Sequence, residues 1–253
     1  MATLSEILAY LGEELRLDEY EDSAYNGLQI EGASEVKKIG AAVDAGLSVV
    51  EKAVAQGIDF LVVHHGLFWG QATPVTGARK ALLQRAFEGN ISLYGVHLPL
   101  DAHRTLGNNF LLARRLGLEE LGPAVFYRGS YIGCVGRNRK NIPLSEMASR
   151  LESLPGAEPN FLKLDYGPQI PARVCVVTGA GADQLYQFRD ENFDTLITGE
   201  PRQFAYHFCK ENKLNALFCG HYASETLGVE AVAKHVAEKF GLTWEFIDEP
   251  TGI

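Results

Sequence analysis

The chain is expected to fold as an α/β protein, in two α/β halves whose mixed or parallel sheets are flanked by helices. Three observations carry that expectation. Apolar runs of strand length alternate with stretches of helical periodicity, three successive runs end on a side chain able to bind metal, and the alternation restarts late in the chain after a β-rich interlude. With 253 residues, 46% of them hydrophobic and 22% charged, the chain is long enough for one large domain or two smaller ones. The expected division is an N-terminal α/β half over 1–125, a β-rich middle segment over 126–171 and a C-terminal α/β half over 172–253.

Leu4, Ile7, Leu8, Leu11 and Leu15 recur at helical spacing and predict an amphipathic helix that ends before the acidic stretch Asp18 to Asp22. Asn26-Gly27 signals a turn, and Leu28 and Ile30 alternate with polar neighbours as in a short strand. Val36 to Val43 reads as a strand delivering Asp44, with a helix over Leu47 to Gln56 behind it. Phe60 to Val63 reads as a strand delivering His64 and His65, followed by a helix around Ala78 to Glu88. Ile91 to Val96 reads as a strand delivering His97 and Asp101, and Asn108 to Leu116 as a helix closed by Gly117. In open parallel sheets the working crevice lies outside the carboxyl ends of the strands, so this ordering points at one shared site.

From about Gly129, YIGCVGR reads as β structure, followed by a helix at Leu144 to Leu151 and the connection LPGAEPN. The second α/β half opens with the strand Arg173 to Thr178, the turn Gly179-Ala180-Gly181 and a helix from Ala182. The strand Thr195 to Thr198 then delivers Gly199-Glu200. Ala216 to Cys219 leads into Gly220-His221 and a helix patterned by Val229, Val232, Ala233, Val236 and Phe240, and TWEFID is the last strand. Gly-Ala-Gly lacks the third glycine and the lysine of a nucleotide-binding turn, so a tight strand-to-helix turn is the plainer reading.

Composition narrows the function classes. The acidic N-terminus lacks the basic region of a signal peptide, and no apolar stretch reaches the ~20 residues of a membrane span, so a cytoplasmic protein without a membrane anchor is expected. Four cysteines lie scattered with no C-x-x-C pair and read as reduced core thiols. A net charge of −9 disfavours an extended nucleic-acid footprint. The densest basic run, Arg137 to Lys140, is better read as a solvated hairpin turn.

The chemistry gathers at strand ends. Neighbouring side chains on a strand point to opposite faces, so His64 and His65 can serve one site only where the strand ends and the backbone turns, which Gly66 permits. Glu225 follows His221 at a spacing that puts both on one face of a helix's first turn. His97 and Asp101 share that spacing, but Pro99 between them favours a loop. Imidazole and carboxylate without thiolate suit borderline divalent ions such as Zn, Mn, Fe or Ni, and two ions are feasible, with hydrolysis the natural chemistry. Each residue also has a plainer role: an isolated His is commonly a hydrogen-bonded core residue, Glu225 suits a helix N-terminus without metal, and Asp44 can cap the helix that follows.

Taken in order, YNGLQIEG at 25 to 32, AAVDAG at 41 to 46, LVVHHGLFW at 61 to 69, SLYGVHLPLDAH at 92 to 103, GNN at 107 to 109, TGAGAD at 178 to 183, TGE at 198 to 200, GHYASETLGVEA at 220 to 231 and EFIDEPTG at 245 to 252 identify a resemblance. The chain resembles the NIF-three-like family, often labelled GTP cyclohydrolase I type 2 homologues, over almost its full length. Arg104-Thr105 departs from the proline expected after LDAH. The resemblance implies two divalent ions per chain held by His64, His65, Asp101, His221 and Glu225, with Glu225 as the bridge and His97 beside it. It implies a site in the cleft between the two halves and a homohexameric ring in the cytoplasm. The cyclohydrolase label implies opening of the guanine imidazole ring with loss of formate, His97 or Glu200 moving protons. A metal-dependent phosphoesterase acting on nucleotides or nucleic-acid ends, and a non-catalytic metal-binding ring scaffold, are the alternatives.

Overall fold

A computed structural model describes residues 1–157 and 161–253, with the backbone alone for Arg189 and Asp190. The end of the expected connection LPGAEPN, Glu158 to Asn160, lies outside the described residues. The chain divides into two compact units, one formed by 1–100 with 228–249 and the other by 101–227 with 250–253.

In the first unit β1 (Ala2–Thr3) leads into α1 (Leu4–Leu15). Thr3 and Glu6 form a capping box there: Thr3 Oγ1 accepts the Glu6 N–H at 3.2 Å and Glu6 Oε2 accepts the Thr3 N–H at 2.9 Å. β2 (Gly27–Ile30), β3 (Glu35–Val36), β4 (Lys38–Asp44), α2 (Leu47–Ala55), β5 (Phe60–His65), α3 (Gly77–Glu88) and β6 (Ser92–Gly95) follow. The single strand expected over Val36 to Val43 is broken at Lys37. The carboxylate of Asp59 accepts the N–H groups of Lys37 and Lys38 at 2.8 and 3.0 Å, and β3 pairs with β1 instead.

Five strands make the unit's sheet in the order β13-β4-β5-β6-β2, where β13 is the last strand, Thr243–Phe246. β13, β4, β5 and β6 run parallel and β2 closes the edge antiparallel to β6. Strands covered on both faces need apolar residues on both, which explains the unbroken burial of Ile39 to Val43 and Phe60 to His64. Leu61, Val63 and Leu93 pack with Val50 and Ala53 of α2 and Ala86 of α3. Burial of each of these leucine and valine side chains contributes roughly 1.5–3 kcal/mol.

α4 (Leu98–Ala102) is a helix where Pro99 suggests a loop, and it carries the chain from the first unit into the second. Proline is tolerated in a helix's first turn because the N–H it lacks has no intrahelical acceptor there.

The second unit contains α5 (Asn108–Arg115), β7 (Glu119–Tyr127), β8 (Ser130–Arg137), α6 (Leu144–Glu152), β9 (Leu162–Asp165), β10 (Arg173–Val177), a 3₁₀ turn over Gly181–Gln187 and α7 (Phe188–Glu191). After these come β11 (Thr195–Thr198), α8 (Gln203–Asn212), β12 (Asn215–Phe218) and the start of α9 (His221–Phe240). Its sheet is mixed, in the order β7-β8-β10-β11-β12-β9, with β10, β11 and β12 parallel and the rest antiparallel. Because β8 hydrogen-bonds directly to β10, the expected boundaries at 125/126 and 171/172 both fall inside this unit. A core of Phe110, Leu112, Met147, Leu151, Val174 and Leu217, with their neighbours, fills one face. Among the described residues no helix is long and apolar enough to cross a membrane. All four cysteines are buried and unbridged, and burial pushes the thiols of Cys209 and Cys219 up to about 11 and 12.

Candidate metal centre

In the first unit three imidazoles converge. The His64 and His65 ring centroids are 4.8 Å apart, and His97, just past β6, lies 5.1 Å from His64 and 5.8 Å from His65. One ring nitrogen from each of the three falls within 4.8 Å of the others, so this group can hold a metal ion. Both His64 and His65 belong to β5 itself rather than following it. Gly66 matters for a different reason than a turn: it has no left-handed φ, but a Cβ there would sit 2.1 Å from Gln29 Nε2. That amide is fixed, donating to Tyr25 O at 2.6 Å and accepting the Leu67 N–H at 2.6 Å.

Each histidine is held through Nδ1. His64 Nδ1 lies 2.9 Å from the carbonyl of Val96, His65 Nδ1 2.8 Å from Asp44 Oδ1, and His97 Nδ1 2.9 and 3.1 Å from the two Asp22 oxygens. A carbonyl or carboxylate oxygen can only accept, so Nδ1 carries the hydrogen and donates in every case, and Nε2 of each neutral ring bears the lone pair. Carboxylate and carbonyl partners of this kind fix the ring and raise the basicity of metal-ligating histidines. Asp44 is the β4 residue registered against His65. It serves that imidazole and not the helix after it, where Gly46 is the N-cap and makes no side-chain cap bond.

Sequence pattern makes Asp22 no more than one residue of an acidic turn. Its side chain is almost fully buried and also accepts N–H groups from Leu98 and Ala24 and the amide of Asn26, each at 3.0 Å. Burial alone would raise its pKa, but the hydrogen bond and charge of His97, with the smaller bonds, hold the carboxyl well below the usual range. Asn26 Oδ1 in turn accepts the His97 N–H at 2.7 Å, so the YNG segment positions that histidine.

In the second unit α9 starts at His221, and the spacing to Glu225 works as expected: His221 Nε2 lies 3.1 Å from Glu225 Oε2. Glu200, just after β11, puts Oε1 2.5 Å from His221 Nδ1. Burial opposes a charge on His221, yet the hydrogen bonds and negative charge of Glu225 and Glu200 outweigh it and push its pKa up to about 9. Asp101 is buried, and its Oδ1 accepts from Asn108 Nδ2 at 3.0 Å and Thr178 Oγ1 at 3.1 Å. Asn109 braces the same place, its amide donating to the carbonyls of Asp101 and Ile132 while its Oδ1 accepts the Thr178 N–H.

The Gly179-Ala180-Gly181 turn has no N–H to offer a phosphate at its glycines. Gly179 N donates to Ser224 Oγ and Gly181 N to Thr198 Oγ1, both at 2.9 Å. The turn instead lies against the His221 and Glu225 side chains. Gly179 adopts φ +66°, and a Cβ on it would stand 2.3 Å from Glu225 Oε1 and 2.9 Å from His221 Nε2.

Other polar residues have local partners. His103 Nδ1 accepts the Leu106 N–H at 3.0 Å, and His207 is exposed on α8. The basic run is not the hairpin turn expected of it: the β7–β8 hairpin turns at Arg128-Gly129, and Arg137 to Lys140 instead closes β8 on the way to α6, where Arg137 and Arg139 pair with Glu120 and Lys140 with Glu119.

Residues 2–251 match the family model for Duf34/NIF3 (NGG1p interacting factor 3). A Deinococcus radiodurans protein named GTP cyclohydrolase 1 type 2 homolog is 38% identical over 250 residues, covering 98% of this chain and 94% of its own. A Pyrococcus abyssi protein of the same name is 41% identical over 250 residues, covering 98% of each. The crystal structure of TTHA1606 from Thermus thermophilus is similar to the whole of this chain over its own whole length, with a TM-score of 0.90 and 41% identity.

Proposed function

Since the chain belongs to the Duf34/NIF3 family, we propose that it is a dinuclear metal-dependent hydrolase acting on a small nucleotide-like substrate. His64, His65, Asp101, His221 and Glu225 would hold two divalent ions per chain, drawn from Zn, Mn, Fe or Ni. The observation that carries this reading is the uniform treatment of the four histidines: Nδ1 of His64, His65, His97 and His221 each meets an acceptor oxygen. Hydrogen-bonded core histidines need no such agreement, whereas metal ligands need a fixed ring and a defined tautomer. Such ions supply activation of water for attack near neutral pH.

His97, backed by Asp22, takes up and returns a proton during turnover. Glu200 holds the His221 ring in place. The relatives share the name GTP cyclohydrolase 1 type 2 homolog, and the reaction proposed here is of that type: opening of a guanine imidazole ring with release of formate. A cytoplasmic homohexameric ring is part of the same proposal.

The test is metal content per chain after purification without chelator, on the native protein and on a His64→Ala, His221→Ala double variant, followed by formate analysis with GTP. Two ions per chain, lost in the variant, and formate release are expected. Phosphate or nucleotide release in place of formate would favour a phosphoesterase. No metal bound, and none gained from Mn, Zn or Fe, would overturn the hydrolase reading and leave only a non-catalytic scaffold without metal.

A further inference from the structure

The loop after β5 presents an aromatic surface to which none of the chemistry above assigns a task. Trp69 Nε1 donates to the Gly66 carbonyl at 2.8 Å, which fixes the indole. The backbone around it is zipped to the segment carrying Asp22: Ala24 and Trp69 form an antiparallel bridge, Tyr25 N donates to Phe68 O at 2.9 Å and Gly70 N to Ser23 O at 2.8 Å. Thus held, the indole meets His97 edge-on at a centroid distance of 5.0 Å and His65 at 5.9 Å. Trp69 is nevertheless 40% exposed and Tyr25 59%. Tyr25 stands edge-on to Phe68, whose ring carries the Arg79 guanidinium at 5.0 Å.

An indole that large favours burial, and this one is fixed and left open beside the imidazoles of His65 and His97. An aliphatic ligand would cover the same area without offset stacking. A flat ring with a polar edge gains both, its face on the indole and its edge toward the histidines. We propose that Trp69 is the platform on which a planar heteroaromatic ring of the purine class stacks, bringing its edge to the histidine cluster. What becomes of that ring rests on the hydrolase reading above; its binding does not.

Trp69 and Trp244 are the chain's two tryptophans, so the full-length Trp244→Phe protein reports on Trp69 alone. Guanosine 5′-monophosphate should quench its emission saturably and ribose 5-phosphate should not. By calorimetry, Trp69→Ala should weaken guanosine monophosphate binding about 5- to 150-fold, Trp69→Phe should recover most of it, and metal content should be unchanged in both. No saturable quenching, or equal quenching by ribose 5-phosphate, overturns the proposal. So does a Trp69 already shielded from acrylamide without ligand, because another copy of the chain would then occupy the face. Metal is measured on the same samples: quenching in a protein that binds no metal supports the platform while sinking the hydrolase reading.

Discussion

Glu200 Oε1 and Glu225 Oε2 approach different nitrogens of His221, at 2.5 Å from Nδ1 and 3.1 Å from Nε2, so the ring is pinned between two carboxylates. With its pKa pushed up to about 9, metal-free His221 carries a proton on both nitrogens near neutral pH. A metal taking Nε2 must displace one of them. Calorimetry in buffers of different ionisation enthalpy should therefore find about one proton released from His221 at pH 7.5. Apparent affinity should rise roughly tenfold per pH unit up to about 9 and then level. Glu200→Gln should shallow that slope and weaken metal binding by about 10- to 100-fold. A slope unchanged in the variant would detach Glu200 from the site.

The same shift bears on the stability of the metal-free protein. A folded pKa above the unfolded value of about 6.5 stabilises fully below 6.5, and the contribution is lost as pH rises through about 9. Melting of the chelated protein should move to lower temperature over that window, and His221→Gln should flatten the trend.

Asp22 works in the opposite sense. Its depressed carboxyl stabilises the fold above the unfolded value of about 3.9 and loses that contribution as pH falls below it. Asp22→Asn should cost roughly 1.5–3 kcal/mol at pH 7 by urea unfolding, as expected for hydrogen bonds to a charged group. The gap to the native protein should narrow near pH 3. A constant gap would mean that the carboxylate's charge contributes nothing.

Gly179→Ala places a methyl against Glu225 and puts alanine at a left-handed φ. The conformational penalty is about 1–2 kcal/mol. The larger effect should be displacement of the Glu225 carboxylate: metal content by emission spectroscopy should drop while circular dichroism keeps its native form. Full metal content would show that Glu225 can give way without losing its role.

Asn109→Ala should be costlier than its surroundings suggest, because three buried groups lose their partner at once: the carbonyls of Asp101 and Ile132 and the N–H of Thr178. Roughly 2–4 kcal/mol of destabilisation by urea unfolding is expected; a loss below about 1 kcal/mol would mean that these groups find other partners.

Much of this architecture was legible in local pattern. Runs such as Phe60 to Val63 and the periodicity from Val229 to Phe240 state their own secondary structure, and the His221 to Glu225 spacing needed only a helix start. Pro99 misleads because a proline's meaning depends on whether a helix begins there. Pattern could not show partners distant in the chain. Nothing in DEYEDSAYN marks Asp22 as the residue behind His97, and the two asparagines of GNN carry no sign that they hold Asp101 and Thr178. Gly66 and Gly179 were visible as glycines, but the need for them comes from Gln29 and Glu225, which only the folded chain brings near.

The parallel pairing of β13 with β4 also sets an order of events during synthesis. The strand that covers the β4 edge is translated roughly 200 residues after it, which at ~5–20 residues per second is a delay of about 10–40 s. Throughout that interval the nascent first sheet has β4 as an open edge, apolar and able to pair with another chain. Ribosomes that stall or terminate before Thr243 would therefore release a product whose hazard is aggregation more than lost chemistry.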